Sequence, residues 1–337
     1  MSIQAPLTPE RIMAFAFGYA PPLMIEAAIR HGYFDALAEQ PQTLDDLALM
    51  TQTSRRGAKA VCYALVGFGL MQCNHHGEFS LTPESDTFLV STKPGFRGGL
   101  FKHASTQLIP KWLHLAEVVQ SGLPSEQVNE HDTGSVFFEQ FVEDIYPMSA
   151  GPAQVLAAEL RLAQIKQPFS VLDIAAGSGV WGIELARSSP QVQVTAVDWP
   201  EVLNVTRRIS QQHGVSEQFS YVPGDLMDAP LGEAHQLATL GHILHSEGLE
   251  RGKQLLKRVY AALASGGTIA IAEFLVNHDR QGPINGLVFA VNMLVNTAQG
   301  DTWSFEEISE WLTEAGFCDM RLLPSPGPSP LILASKP

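Results

Sequence analysis

Cysteine is scarce in this sequence: Cys62, Cys73 and Cys318 are odd in number, far apart and form no C-x-x-C pair. That excludes a disulfide framework and thiolate zinc spacings, and it predicts a reduced, cytoplasmic setting. Basic residues are also short, with 21 Lys and Arg against 35 Asp and Glu and a formal net charge of −14. Phosphate backbones and anionic bilayers attract the opposite balance, so neither nucleic acid nor a membrane is expected as the main partner. No unbroken apolar run reaches the length of a membrane span, and the opening MSIQAPLTPERIM has no basic segment leading into an apolar one. No internal repeat or low-complexity tract stands out. The 337 residues are 45% apolar, enough for two domains with their own cores.

Residues 1–100 read as helices followed by a small hairpin. Arg11–Ala20 is apolar and helix-like, and Pro21-Pro22 interrupts it before Leu23–His31 resumes. Thr43 and Ser54 stand as N-caps of two further helices, the first with Asp45 and Asp46 in its opening turn. Leu70–Cys73 and Glu78–Leu81 around a polar turn make a two-stranded wing. A winged-helix module binds DNA through a basic helix. Here Arg55, Arg56 and Lys59 form one small cluster, within seven basic against nine acidic residues. Dimerisation or substrate capping is the better expectation.

Residues 101–166 read as a helical linker and substrate-cleft region. Phe137, Phe138, Phe141, Ile145 and Met148 recur at helical spacing. They are either a core stripe or, through Phe141, Tyr146 and Met148, a wall of the cleft. Residues 167–337 alternate strands (Ser170–Ala175, Val192–Asp198, Phe219–Gly224, Gln236–Leu244, Thr268–Val276, Leu331–Ser335) with helices near Val180–Arg187, Glu201–His213, Leu249–Ala264 and Phe305–Ala315. Gly266-Gly267 is expected to stop a helix before the Thr268 strand. The pattern is that of a doubly wound α/β domain, with ligands at the carboxyl ends of its strands.

Within it, SVLDIAAGSGVWG places an acid and a small-residue turn after the first strand. Gly177-x-Gly179-x-x-Gly182 matches the dinucleotide fingerprint literally. Asp173 argues against that ligand, because a carboxylate there repels a pyrophosphate and suits an ammonium or sulfonium. Asp198 and Asp225 end the next two strands, where they suit ribose hydroxyls and an adenine amino group, with Leu226 beside the ring. Each acid taken singly is equally well a cap of a strand–helix turn.

VLDIAAGSGVWGIELARSSPQVQVTAVDWPEVL, followed by PGDLMDAP, LGHILHSEG and GGTIAIAEF, resembles class I S-adenosylmethionine-dependent methyltransferases. More narrowly it resembles the O-methyltransferase family with an N-terminal winged-helix dimerisation domain. The resemblance implies a Rossmann-like doubly wound methyltransferase domain over 167–337, preceded by a mainly helical winged-helix-like dimerisation domain, and a homodimer acting on a small-molecule methyl acceptor. It implies S-adenosyl-L-methionine as cofactor, held by Asp173, Ala175, Gly177, Gly179, Asp198, Trp199, Asp225, Leu226, Gly241 and His242. Ala175 stands where the family usually has glycine. His245 matches the family's general base and Glu273 the carboxylate that orients it. The Asp and Trp that commonly follow that histidine are replaced by Ser246 and Glu247, and a second family carboxylate aligns with Thr302, with Asp301, Glu306 or Glu247 as substitutes. Asn292 and Met293 are candidate substrate-wall residues. His242-x-x-His245 lacks a third ligand at metal spacing, so no metal is expected. O-methylation of a hydroxyl is the leading expectation. Transfer to sulfur, nitrogen or carbon, or cofactor binding without methyl transfer, are its alternatives.

Overall fold

A computed structural model describes residues 7–128, 134, 137–139, 141–327 and 329–337. The chain divides into two compact units, Met1–Ile109 and Pro110–Pro337.

In the first unit, Thr43 and Ser54 cap the helices Leu44–Met50 and Arg55–Gly67, accepting from the backbone N–H of Asp46 and Gly57. Phe34, Leu37, Leu47, Ala58, Cys62, Leu65, Met71 and Phe79 fill its core. The wing has three strands rather than two. β1 (Gln42–Thr43), β2 (Met71–Cys73) and β3 (Glu78–Leu81) pair antiparallel in the order β1-β3-β2. β1 is two residues long, too short for alternation to reveal it. Arg55 of the small basic cluster pairs with Asp45 at 2.5 Å. Pro21 and Pro22 sit in the first turn of the helix Ala20–Arg30, because a proline there gives up an N–H that has no intrahelical partner anyway, and the break from Glu10–Ala14 and Phe15–Phe17 falls at Gly18 and Tyr19. The stretch Glu10–Arg30 is, by length and composition, long and apolar enough to cross a membrane. The run-length reading passed over it because Arg11, the prolines and Glu26 interrupt the apolar residues.

The second unit is built on a seven-stranded sheet. β4 (Phe169–Ile174), β5 (Val192–Asp198), β6 (Phe219–Pro223), β7 (His235–Gly241), β8 (Leu263–Ala272), β9 (Cys318–Leu323) and β10 (Leu331–Ser335) lie in the order β6-β5-β4-β7-β8-β10-β9. β4 to β8 run parallel, and β10 is antiparallel to both β8 and β9. The order reverses at β4, so a crevice opens at its carboxyl end, where the glycine-rich turn lies. Val171, Leu172, Ile174, Leu237 and Leu240 are fully buried, as central parallel strands covered on both faces require.

Three expectations change here. The Leu249 helix begins at Leu244 and is interrupted at Gly248, whose φ of 75° and ψ of −179° are extended in a left-handed sense. Gly266-Gly267 lies inside β8, in a register shift against β7, instead of capping a helix. Gly266 adopts φ 76° and donates its N–H to the Lys336 carbonyl. β9 went unpredicted because Asp319 and Arg321 interrupt its apolar residues.

Candidate active site

Asp173, one residue before the end of β4, is fully buried. One oxygen accepts from the Thr239 hydroxyl at 2.7 Å and the other from the Gly182 N–H at 3.0 Å. The acid expected to meet a cationic ligand therefore binds the central strand to its neighbour and to the helix after the turn. Burial pushes its pKa up to about 7, against the pull of those two hydrogen bonds.

The turn itself is left-handed at Ala175 (φ 52°), Gly177 (φ 57°) and Gly179 (φ 77°). At Gly179 a Cβ would stand 2.7 Å from the Thr206 methyl, so helix Pro200–Gln212 approaches closely enough for the Thr206 hydroxyl to reach the Gly177 carbonyl at 2.7 Å. Ala175 adopts the same kind of backbone with a Cβ, which costs about 1–2 kcal/mol. Ala175→Gly removes that strain but loosens the unfolded chain. The expected net result is a Tm higher by about 1–3 °C in a thermal melt, and a lowered Tm would show the turn is not strained there.

Asp198 ends β5 and stitches the turn to its own strand. One oxygen accepts from Gly177 N–H at 2.8 Å, the other from Trp199 N–H at 2.7 Å. Burial raises its pKa to about 6 despite these donors. A carboxylate has about four acceptor positions, so two stay available toward the crevice. Phe138 packs on Trp199 at 6.0 Å and on Phe141 at 5.5 Å, which puts Phe141 in an aromatic cluster beside the turn.

Beyond β6, Asp225 accepts from Met227 N–H at 2.8 Å. Leu226 is nearly buried and packs in the core with Val197, Ala229 and Leu231. Gly241 ends β7, where a Cβ would fall 2.0 Å from the Trp181 indole nitrogen. His242 follows with φ 62°. Its Nε2 pairs with the Ser329 hydroxyl at 2.9 Å, and burial drives its pKa down to about 4.

His245 stands in the first turn of the helix that β7 leads into, and Glu273 immediately follows β8. His245 Nδ1 meets Glu273 Oε2 at 2.7 Å, while the His245 backbone N–H donates to Oε1 at 3.3 Å. Glu273 is 2% exposed. Burial alone would raise its pKa, but the His245 charge and hydrogen bonds, with His242 nearby, hold it below the usual carboxylate range. Phe289 meets the His245 ring edge-on at 4.9 Å, and Phe274 lies 4.1 Å from Phe289. A histidine held at Nδ1 by a buried acid, with an aromatic wall alongside, can take a proton at Nε2.

Tyr146, Met148, Asn292 and Met293 lie on two helices, Tyr146–Glu159 and Ile284–Asn296. The Tyr146 hydroxyl donates to Glu184 at 2.8 Å and its ring stacks on His213. It ties the helices Tyr146–Glu159 and Val180–Ser188 together, and Met148 is half-buried one turn start away on the first of these. Asn292 and Met293 lie on the helix Ile284–Asn296 that carries Phe289. Asn292 Oδ1 accepts from the Trp112 indole at 2.9 Å, and Met293 is buried. Thr302, in the place of the second carboxylate, is buried with its hydroxyl unpartnered among the described residues. The substitutes for that acid are engaged or turned outward: Asp301 accepts from Thr302 N–H, Glu247 pairs with Arg251, and Glu306 is exposed. Among the described residues no group of three or more His, Cys, Asp or Glu side chains is arranged to hold a metal ion. Phe274, Phe289, Trp181 and Arg251 were missed by sequence reasoning. Phe274 adjoins Glu273 and Trp181 lies within the glycine-rich stretch, whereas Phe289 and Arg251 carry no local motif.

Comparison with known proteins agrees with this geometry. Residues 112–318 match an O-methyltransferase domain and residues 13–91 an O-methyltransferase dimerisation domain. The chain is 28% identical over 320 residues to the 3-hydroxy-5-methyl-1-naphthoate 3-O-methyltransferase of Streptomyces sahachiroi, covering 93% of this chain and 91% of that protein. It is 28% identical over 342 residues to the acetylserotonin O-methyltransferase of Bos taurus, covering 96% of each. A solved protein of Nostoc punctiforme superposes with a TM-score of 0.89 at 28% identity, over 98% of this chain and 100% of that one. Human N-acetylserotonin methyltransferase in complex with SAM gives a TM-score of 0.83 at 25% identity, over 99% of each chain. With more than half its length matched by the methyltransferase model and most of the remainder by the dimerisation model, the chain belongs to the O-methyltransferase family.

Proposed function

We propose that this enzyme transfers a methyl group from S-adenosyl-L-methionine to a hydroxyl of a small aromatic acceptor, with His245 as general base. The observation that carries the reading is the 2.7 Å contact between His245 Nδ1 and the buried Glu273 carboxylate. An ionised carboxylate accepts, so the ring hydrogen sits on Nδ1 and the Nε2 lone pair is left for the acceptor hydroxyl. As the proton arrives at Nε2, Glu273 stabilises the imidazolium and keeps the ring from turning. The flat pair Phe274 and Phe289 beside it suits an aromatic ring, and the named relatives act on a hydroxynaphthoate and on acetylserotonin. Transfer to sulfur, nitrogen or carbon, and binding without transfer, are not favoured by those relatives.

The cofactor supplies an electrophilic methyl on a sulfonium. The residues present suit it: a left-handed turn at the carboxyl end of the central strand, and an Asp198 carboxylate with acceptor positions to spare for two ribose hydroxyls. In this reading Ala175, Gly177 and Gly179 shape the methionine end, Asp198 and Trp199 the ribose, and Asp225 with the Leu226 backbone the adenine. Gly241 and His242 flank the methionine end, and Asn292 and Met293 the acceptor. Asp173 supports the turn from behind it. Incubating the protein with methyl-labelled cofactor and a panel of phenols and naphthols tests the reading. Label in an acid-stable methyl ether is the expected result. Label at nitrogen or sulfur, or on no acceptor, contradicts it.

The protein works as a homodimer in the cytoplasm. Ile12, Met13, Phe15, Phe17 and Tyr19 are more than half exposed on the first unit, a contiguous apolar stretch of the kind that a partner chain covers. It overlaps the matched dimerisation domain, and Cys62, Cys73 and Cys318 are free thiols. Phe15→Asp with Phe17→Asp is expected to shift the light-scattering mass from two copies of the chain to one. A doubly substituted protein that stays dimeric places the interface elsewhere.

A further inference from the structure

Glu247 is 6% exposed, an unusual place for a carboxylate, and it stands where relatives commonly carry tryptophan. Its Oε2 accepts from Arg251 Nε at 2.7 Å. The far end of the same guanidinium reaches both oxygens of Asp225, at 3.3 and 3.4 Å. One planar cation thus joins a buried acid on the β7-side helix to the acid that follows β6. The two ends differ in setting: Glu247 is enclosed, whereas the side chains of Arg251 and Asp225 are 42% and 39% exposed. Glu247 and Arg251 stand four positions apart, on either side of a break at Gly248, whose Cβ would stand 2.6 Å from the Gln299 carbonyl. An arginine fork serves such a bridge because its donors lie in one plane and its charge does not titrate away.

We infer that Arg251, anchored by Glu247, is a positioning residue for the nucleobase: it fixes the Asp225 carboxylate as an oriented acceptor and so selects a base with an exocyclic amino group. The inference rests on the cofactor reading above, which assigns Asp225 to adenine. Two donors hold the orientation of Asp225, the Met227 N–H on one oxygen and the Arg251 Nη2 shared between both. A carboxylate held in this way accepts an N–H from the 6-amino group of adenine. It repels the 6-oxo oxygen of hypoxanthine, which carries no hydrogen at that position. Discrimination of this kind, built on a donor that only one ligand offers, exceeds what shape alone achieves. Without the guanidinium, Asp225 is half-exposed and free to turn toward water, and the preference falls.

The test is equilibrium binding, by calorimetry, of S-adenosylhomocysteine and S-inosylhomocysteine to the full-length protein and to D225N, R251M, R251K and E247Q. Wild type is expected to prefer the adenosyl ligand by about tenfold or more. R251M is expected to lower that preference to about threefold or less, with S-inosylhomocysteine binding nearly unchanged. R251K restores part of it, since an ammonium offers charge without the planar fork. E247Q, which keeps an acceptor but loses the buried charge, falls between. A merely structural role for Arg251 would weaken both ligands equally and leave their ratio intact, which overturns the proposal. D225N losing the preference while R251M keeps it also overturns the proposal, with the cofactor assignment left standing. Wild type binding neither ligand, or D225N keeping the full preference, overturns the proposal and the adenine assignment together.

Discussion

Replacing His245 with alanine is expected to lower kcat by about 10²–10⁴-fold, the range that a positioned base contributes, while S-adenosylhomocysteine affinity changes by less than about twofold. The separation follows from position. His245 lies beyond the end of β7 against Phe274 and Phe289, whereas Asp198 and Asp225, proposed above to face the nucleoside, end β5 and follow β6. Alanine also leaves Glu273 buried without its main partner, so stability should fall as well, because stranding one member of a buried pair is costly. His245→Gln separates the two effects, since the amide can still donate to Glu273 but cannot accept a proton usefully. It should lose turnover as the alanine variant does and keep more of the Tm. Single-turnover rates and thermal melts measured on both variants check this. A glutamine variant with near wild-type turnover would remove His245 from the role of base. The Glu273 pairing also has an acid limit. Its folded pKa lies below the usual carboxylate value, so the stabilisation is present above about pH 4.3 and is lost as pH falls through the folded value.

The doubly wound sheet was legible because β4, β5, β7 and β8 are dense apolar runs punctuated by acids and glycines, and β6 follows in step. Asp198 and Asp225 stand out at those strand ends, whereas His245 and Glu273 stand out through the family resemblance. What local pattern could not show is which donors each acid already has. Asp173 was read as facing a ligand, but Thr239, 66 positions away, and the first turn of the following helix occupy it. For Tyr146 the sequence leaves open a core stripe or a cleft wall, and only the fold shows that Glu184 holds its hydroxyl. Arg251 carries no local motif: it lies one helical turn from Glu247, but its contact with Asp225, 26 positions away, comes from the packing of its helix on the segment after β6. At Thr302 the sequence names Asp301, Glu306 and Glu247 as substitutes, and only the fold shows that Asp301 accepts from Thr302 N–H, that Glu247 pairs with Arg251 and that Glu306 is exposed.

Asp198→Ala is the second large effect expected, this time on cofactor affinity. In the proposed site its carboxylate accepts from two ribose hydroxyls, and charge-assisted hydrogen bonds are each worth about 1.5–3 kcal/mol. Alanine also releases the N–H groups of Gly177 and Trp199, so the turn loses the brace that curves it. The dissociation constant for S-adenosylhomocysteine should rise on the order of 10²-fold or more. Asparagine should not rescue it, since its amide nitrogen would face one of those two N–H donors. The same carboxylate sets a pH dependence. Asp198 and Asp173 sit at about 6 and about 7 when no ligand is bound, above their unfolded value of about 3.9. Their contribution to stability is therefore full below about pH 3.9 and is lost as pH rises through 6 to 7. Ribose hydroxyls donate to the ionised form of Asp198, so binding lowers its pKa and expels a proton. Near pH 6, calorimetry in buffers of different ionisation heat should register on the order of half a proton released per site, and affinity should rise with pH until Asp198 is ionised. In Asp198→Ala that release should disappear. A variant that binds within threefold of wild type, or releases the same proton, would take Asp198 out of the ribose site.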